Sequence, residues 1–297
     1  MRIGITGATG FLGRYIVTRL AGNGHDCRCW YRPDSDRGGF EENERRIEWI
    51  PGQLGDDRSA AALVESVDAV VHSALHYPGT SFRGGEGDVV DFATLNVVGT
   101  LRLIEAARRA GVGRFVFIST CAVHEVILND RPLDETHPLR PTSHYGAHKA
   151  AIEKFVHSFG LGQGYDICAL RPTGIYGLAR PASQSKWYDL VHAVRAGQPV
   201  RSARGGKEVH AADVATAVEM LLTAEGIAGQ AYNCYDMYIA EQDVAEIAKR
   251  LTGSDSSIER LNRGPKNQIE TNKLRALGMT FGGRELLEQT IEQLLAT

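Results

Sequence analysis

Short apolar runs alternate with longer amphipathic stretches through residues 1–175, and this rhythm predicts strands at Arg2 to Thr6, Asp26 to Tyr31, Arg46 to Ile50, Asp68 to Ala74, Arg114 to Ser119 and Asp166 to Leu170. Ala69, Val70 and Val71, like Phe115, Val116, Phe117 and Ile118, are continuously apolar, as strands covered on both faces should be. Helical windows fall between them, near 11–22, 57–66, 89–110 and 145–160. Crossovers of that length imply an α/β fold with a doubly wound parallel sheet. After Gly177 the rhythm changes, with helical patterns near 186–196, 213–224, 241–252 and 284–295 joined by irregular polar connections. The expectation is a first domain over 1–177 and a smaller C-terminal lobe over 178–297, interleaved with it, that binds substrate and returns a strand near Ala231 to Cys234. The least apolar part of the chain is Thr252 to Asn272.

Composition narrows the function classes. The chain has 297 residues, 43% hydrophobic and 23% charged, which places it among ordinary globular proteins. A net charge of -3 offers no general positive field to nucleic acid or to an anionic bilayer, so neither is expected as a partner. No apolar run approaches the roughly 18 residues that span a bilayer, and the N-terminus has no leader pattern. A soluble, cytoplasmic protein is expected. Cys27, Cys29, Cys121, Cys168 and Cys234 are odd in number and irregularly spaced, which suits reduced thiols better than a disulfide framework or a zinc site. The histidines lack metal-ligand spacing, and no metal is expected.

The first strand runs directly into Thr6-Gly7-Ala8-Thr9-Gly10-Phe11-Leu12-Gly13, followed by an amphipathic helix. A G-x-x-G-x-x-G turn between strand and helix is the arrangement of a Rossmann-type dinucleotide site. Gly7 permits the turn, Gly10 admits a pyrophosphate to the backbone N–H groups, and Gly13 lets the helix pack close. At the end of the second strand stand Trp30, Tyr31 and Arg32, with no acidic side chain to hold a ribose 2′-hydroxyl. Arg32 could pair with a 2′-phosphate instead, which favours NADP over NAD; the alternative is that Arg32 is solvated and Asp34 or Asp36 supplies the acid.

Tyr145-Gly146-Ala147-His148-Lys149 opens a helix on which Ile152, Phe155, Val156 and Phe159 recur at helical spacing. Lys149 lies on this inward stripe, one turn from Tyr145. A buried ammonium needs a polar partner, and cofactor ribose hydroxyls could serve. A cation one turn away also lowers the pKa of a phenol, ordinarily about 10, so the pair can act as a proton-exchanging unit. Ser119-Thr120 ends the fifth strand at the ligand-binding edge, where the Thr120 hydroxyl could orient a substrate oxygen or simply cap the next turn. His124, His144 and His148 flank this region as wall or contact residues. Arg201, Arg204 and Lys207 could hold an anionic group or lie in solvent.

Taken together these residues resemble the extended short-chain dehydrogenase/reductase family, often called the NAD-dependent epimerase/dehydratase family. The resemblance covers nearly the whole chain. It rests on the glycine loop, Val70-Val71-His72-Ser73-Ala74, Asn96-Val97-Val98-Gly99-Thr100, Ser119-Thr120, Tyr145 with Lys149, Leu170-Arg171-Pro172 through Tyr176-Gly177, Val209-His210 with Asp213-Val214, and Asn272-Lys273 through Leu277-Gly278. It implies a catalytic set of Thr120, Tyr145 and Lys149. It implies cofactor contacts from Gly7, Gly10, Phe11, Leu12, Gly13, Leu54, Ser73, Ala74, Asn96 and Pro172, to which Thr9, Arg32, Tyr145 and Lys149 are added from the loop and helix. In the family the tyrosine deprotonates an alcohol while hydride passes to the nicotinamide, and members usually dimerise through the helices that carry Asn96 and Tyr145.

Departures from the family pattern shape the expected activity. Tyr31 stands where NAD-preferring epimerases commonly have Asp, and Gln53 replaces the usual Asp before Leu54. Cys121 and Ala122 follow Thr120 where 4,6-dehydratases carry an Asp-Glu pair, which demotes dehydration. Gly174 stands where sugar-nucleotide enzymes usually place an Asn that touches the diphosphate, and His124-Glu125 replaces Tyr-Gly. The expectation is therefore an NAD(P)-dependent oxidoreductase or epimerase acting on a secondary hydroxyl or ketone of a small molecule, with a nucleotide sugar as the leading specific version, and working as a homodimer. A reductase of small carbonyl compounds and a non-catalytic dinucleotide sensor are the alternatives.

Overall fold

The structure is a computed structural model that describes residues 1–79, 84–261 and 264–297, so part of the polar stretch Thr252 to Asn272 lies outside the described residues. Six strands follow the apolar runs: β1 (Arg2–Thr6), β2 (Asp26–Tyr31), β3 (Ile47–Pro51), β4 (Ala69–His72), β5 (Arg114–Ile118) and β6 (Ile167–Pro172). The later strands are β7 (Gly174–Tyr176), β8 (Val200–Ser202), β9 (Gly205–His210), β10 (Gln230–Cys234), β11 (Met237–Ala240) and β12 (Ile258–Arg260). The helices are α1 (Phe11–Gly22), α2 (Asp57–Val64), α3 (Val89–Ala93), α4 (Gly99–Arg109), α5 (His144–Gln163), α6 (Tyr188–Arg195), α7 (Ala211–Leu221), α8 (Glu241–Thr252), α9 (Asn272–Ala276) and α10 (Gly283–Leu295).

The main sheet has seven strands in the order β10-β6-β5-β4-β1-β2-β3, and every neighbouring pair is parallel. After β3 the chain crosses to the other side of β1, which makes the β1/β4 boundary the topological switch point where such sheets bind ligands. All four residues of β4 are buried, as its apolar run requires. On one face Val70, Phe115, Phe117 and Ile167 pack against Leu63, Leu103, Ile152 and Val156 from the crossover helices.

Contacts group the chain into two compact units, the first made of Met1–Pro172, Val214–Cys234 and Glu270–Met279, the second of Thr173–Asp213, Tyr235–Ile269 and Thr280–Thr297. The first contains the seven-stranded sheet. In the second, a three-stranded sheet of order β11-β9-β7 and a two-stranded β12-β8 pair accompany α6, α8 and α10, around a core of Tyr176, Val191, Val194, Val244, Ile247, Leu287 and Ile291. No helix among the described residues is long and apolar enough to cross a membrane.

Two features differ from the sequence pattern: the connections expected to be irregular after Gly177 carry the strands β8, β9, β11 and β12, and one expected helix is broken. The single helix expected over 89–110 is interrupted by a π-helical turn, Thr94–Val98, between α3 and α4. Asn96 explains it: its amide donates to the carbonyls of His76 and Phe92 at 2.8 and 3.0 Å, pulling this turn toward the segment after β4. Periodicity alone does not register a one-residue insertion of this kind.

Candidate active site

The glycine turn closes on residues of its own unit. Gly7 has φ +69°, and a Cβ there would lie 2.8 Å from both the Ala74 nitrogen and the Ser73 hydroxyl. A Cβ on Gly13 would collide with the Gly7 carbonyl, so Gly13 admits the turn itself against α1. Gly10 is different, because a Cβ there would meet only the Gly7 carbonyl, at 3.3 Å. The packing thus accounts for two of the glycines and leaves the third facing open space. α1 begins at Gly10 with no side-chain cap and no acid in its first turn, which leaves the positive end of the helix dipole available to an anion. Phe11 meets Tyr15 edge-on at 5.7 Å and Leu12 is half-buried, while Leu54 packs against the main core.

Arg14 was not singled out by the sequence pattern, yet it ties the glycine turn to the loop after β2. Its guanidinium donates to the carbonyls of Thr9 (3.1 Å), Gly38 (2.7 Å) and Asp36 (2.5 Å) and lies 5.1 Å from the Phe40 ring. Arg32 extends into solvent, 3.6 Å from Asp34, and a second basic residue, Arg37, stacks over Tyr31 at 4.4 Å.

At the switch point a relay of hydrogen bonds fixes the strand ends. The Thr6 hydroxyl accepts from the Ala74 N–H (3.1 Å) and gives its proton to His72 Nδ1 (2.6 Å). His72 Nε2 donates to Thr100 (2.8 Å), whose hydroxyl donates to the Asn96 carbonyl (2.6 Å). Burial holds His72 down to about 3, so the ring is neutral and each nitrogen keeps the role its partner demands. The Ser73 hydroxyl donates to the Thr6 carbonyl at 2.7 Å. Asn96 uses both amide protons on main-chain carbonyls and accepts from the His76 N–H at 2.8 Å. The residue that the resemblance makes a cofactor contact is first a brace for the segment after β4.

α5 starts at Ser143, whose hydroxyl caps the Gly146 N–H at 3.0 Å, and Glu125 holds that cap by accepting from Ser143 N (2.8 Å) and its hydroxyl (2.9 Å). A Cβ at Gly146 would lie 2.7 Å from the Ala122 carbonyl, so the helix abuts the turn after β5. Tyr145 is half-buried. One turn later Lys149 is 4% exposed, donates to the Ile118 carbonyl at 2.7 Å and sits 4.6 Å over the Phe117 ring. The polar partner expected from a ribose is supplied here by the last carbonyl of β5. Burial pulls the Lys149 ammonium down to about 7, with the Glu153 carboxylate acting in the opposite direction.

Thr120 is buried and its oxygen accepts from the Ala122 N–H at 3.1 Å, capping the short turn Cys121–His124. That is the capping role left open by the sequence, and it leaves the hydroxyl proton for donation. His148 is buried against Phe92 and Tyr145, with ring centroids at 5.0 and 5.5 Å, and burial holds it down to about 2. It packs as a neutral ring. Pro172 closes β6 and is buried. Arg201 and Arg204 pair with Glu259 and Glu241 at 2.9 and 3.4 Å with their own side chains in solvent, the bland outcome for that cluster.

A buried ion pair went unread in the sequence. Glu153, one turn beyond Lys149, accepts from Arg171 Nε (3.0 Å) and Nη2 (2.6 Å), with side chains 0% and 2% exposed. The Ser119 hydroxyl donates to the same carboxylate, Arg171 reaches His124 Nε2 at 3.2 Å, and Cys121 Sγ donates to the Arg171 carbonyl at 3.0 Å. The ends of β5, β6 and α5 are locked together by it. The readable signal was a second charged residue on the inward stripe, four positions after the first.

An open parallel sheet with a glycine turn at its switch point, and a tyrosine–lysine helix beside the carboxyl end of β5, defines a nucleotide-binding protein of the Rossmann class. The chain belongs to the NAD dependent epimerase/dehydratase family, which matches residues 3–234. It is 34% identical over 180 residues to a 3 beta-hydroxysteroid dehydrogenase/Delta 5-->4-isomerase of Mycobacterium tuberculosis, a match covering 59% of this chain and 47% of that protein. The chain thus spans about half the length of that relative. It is 27% identical over 307 residues to the dTDP-D-glucose 4,6-dehydratase of Mus musculus, covering 93% of this chain and 83% of that one. Among solved structures, a Thermus thermophilus UDP-glucose 4-epimerase in complex with NAD superposes with a TM-score of 0.78 at 23% identity, covering 100% of both chains, which is a likeness of fold.

Proposed function

We propose that this protein is an NAD(P)-dependent oxidoreductase or epimerase acting on a secondary hydroxyl or ketone carbon of a small polar molecule. The observation that carries the reading is Lys149: an ammonium buried one turn after Tyr145, held by a strand-end carbonyl rather than by an acid. A lysine with no function beyond packing would be costly there. A bound nicotinamide dinucleotide would accept or supply the hydride. Tyr145 would take the proton of the alcohol, Lys149 would stabilise the phenolate and hold a ribose hydroxyl, and the free proton of Thr120 would orient the substrate oxygen. The open approach at Gly10 and the uncapped α1 fit a pyrophosphate. The relatives span dehydrogenase, dehydratase and epimerase names; oxidation at a carbinol carbon is the step these names have in common. Cys121 and Ala122 supply no acid–base pair for dehydration.

Although the Thermus epimerase structure holds NAD, NADP is the preferred cofactor in this reading, on the strength of Arg32 and Arg37 and the lack of an acid at Tyr31. The second unit would receive the substrate. A homodimer fits the apolar side chains left on the surface beside Asn96 and on the Tyr145 helix: Val98 is 42% exposed, and Phe155, placed on the inward stripe by its spacing, is instead 40% exposed. The five cysteines, none of them in a disulfide among the described residues, fit a reducing, cytoplasmic setting.

The test is a screen of nucleotide sugars and small ketones that follows NADPH absorbance, with an isomer assay for epimerisation. Tyr145→Phe is expected to bind cofactor normally and to lose turnover by about 10²–10⁴-fold. Lys149→Met should weaken both. Full activity in Tyr145→Phe would overturn the mechanism.

A further inference from the structure

In the second unit one carboxylate is buried with only half of its hydrogen-bonding capacity met. Glu208, on the central strand β9, is 3% exposed. Its Oε1 accepts from Lys186 Nζ at 2.5 Å, whereas its Oε2 is buried with no partner among the described residues. The parallel register pairs Gly174 with Glu208 and Tyr176 with His210, so Glu208 and Tyr176 share one face of the sheet. The Tyr176 hydroxyl is also buried with no partner among the described residues. Burial pushes the phenol upward, which keeps it a hydrogen-bond donor. Two unmet polar atoms on one sheet face are uncommon, since buried polar groups are nearly always paired.

The backbone around the carboxylate is built to admit it. A Cβ on Gly174 would lie 2.5 Å from Glu208 Oε2, and one on Gly206 would collide with Oε1. Any larger residue at either position would displace the carboxyl group, so the acid and the two glycines form one arrangement. Lys186 covers it from outside, with 37% of its side chain exposed and its ammonium 5.2 Å from the Trp187 ring. Trp187 itself has φ +67°, a conformation that bulky residues rarely adopt and that collects at functional sites.

We propose that Glu208, with Tyr176 beside it, recognises a hydrogen-bond-donating group of the ligand, a hydroxyl or a protonated amine, and turns away ligands that present phosphate. The lysine is already neutralised by the carboxylate, so the free oxygen sets the preference: it accepts from donors and repels a second anion. Lys186 is the movable part, because a partly exposed side chain can swing away while Glu208 stays wedged between its glycines. The inference takes from the functional reading only that the second unit receives the substrate, and it deepens that reading by favouring a phosphate-free, donor-rich compound over a nucleotide sugar.

The experiment is a fluorescence titration of the full chain with glucosamine, glucose and UDP-glucose, the Trp187 signal being identified by its loss in Trp187→Phe. The two free sugars should each bind at least about tenfold more tightly than UDP-glucose, the worth of one charge-assisted hydrogen bond plus the repulsion avoided. Glucosamine ahead of glucose would identify the amine as the preferred donor, and equal binding the hydroxyls. Glu208→Gln keeps the shape between the glycines and should erase most of that preference. Lys186→Met, which uncovers the second oxygen without touching the packed core, should tighten glucosamine binding several-fold and serves as the readout should the first variant not fold. Tighter binding of UDP-glucose, absence of binding by either sugar, or a preference unchanged in both variants would overturn the proposal. None of these readouts requires turnover, so a failure of the Tyr145 mechanism would leave them intact and separately readable.

Discussion

Glu153 and Glu208 are both buried acids paired with a basic residue, and they differ in how completely they are satisfied. Glu153 accepts from two nitrogens of the Arg171 guanidinium and from a serine hydroxyl besides, and Arg171 is about as deeply buried as the acid itself. Glu208 has one lysine, partly in solvent, and an oxygen left over. A closed network holds strand ends in place and gains nothing from a ligand. An open one retains bonding capacity that only another molecule can use. By this measure the pair beside α5 is scaffold and the pair on β9 is a recognition element, although both look alike as an acid and a base in the sequence.

The largest expected effect follows from breaking the closed network. Glu153→Ala leaves the Arg171 charge buried and unpaired, and urea unfolding should show a loss of about 3–5 kcal/mol. Glu208→Ala removes a half-satisfied acid whose partner reaches solvent, and its change should stay within about 1 kcal/mol. Equal losses in the two variants would erase the distinction.

Acid should strike both regions at an intermediate level. His124, against Arg171, and His210, facing Tyr176, are each held down to about 4 by burial, and His72 is held to about 3. Their folded pKa values are depressed below an unfolded value near 6.5. Above that pH both states are neutral; below it the unfolded chain binds protons that the folded one refuses, so stability falls as pH falls. Each histidine contributes at most about 1.4 kcal/mol per pH unit over this window. Unfolding midpoints measured from pH 7.5 to 5 should therefore drop steeply below pH 6.5, and a flat profile would show that these rings are not buried neutral.

The smallest effect belongs to the exposed pair. Arg32 and Asp34 lie in solvent at 3.6 Å, and Arg32→Ala should change stability by less than about 0.5 kcal/mol. If it reads a 2′-phosphate, the same variant should weaken NADPH binding while leaving NADH binding unchanged, as measured by cofactor titration. Equal affinity of the unsubstituted protein for the two cofactors would remove the NADP preference.

Much of the first unit was legible because parallel strands buried on both faces are written as continuous apolar runs, and because the glycine turn and the tyrosine–lysine spacing are local. The π-helical turn at Asn96 was not, since it arises from bonds to His76, a residue on a different segment. Arg171 lies in a local motif that carries no trace of its partner, although Glu153 is on the same inward stripe as Lys149. Glu208 follows the basic cluster of Arg201, Arg204 and Lys207, and nothing in that pattern marks its burial.

The order of strands β1 to β6, the turn at Gly7 and the placing of Lys149 one turn from Tyr145 were determined by the sequence alone, because each depends on side chains within a few positions of one another. Which polar groups are satisfied was decided only by tertiary structure: the Ile118 carbonyl under Lys149, Arg171 across from Glu153, and two glycines on neighbouring strands around Glu208. The physical reason is that burial and pairing are properties of what packs against a residue, and strands brought together by long crossovers leave no local trace of their partners.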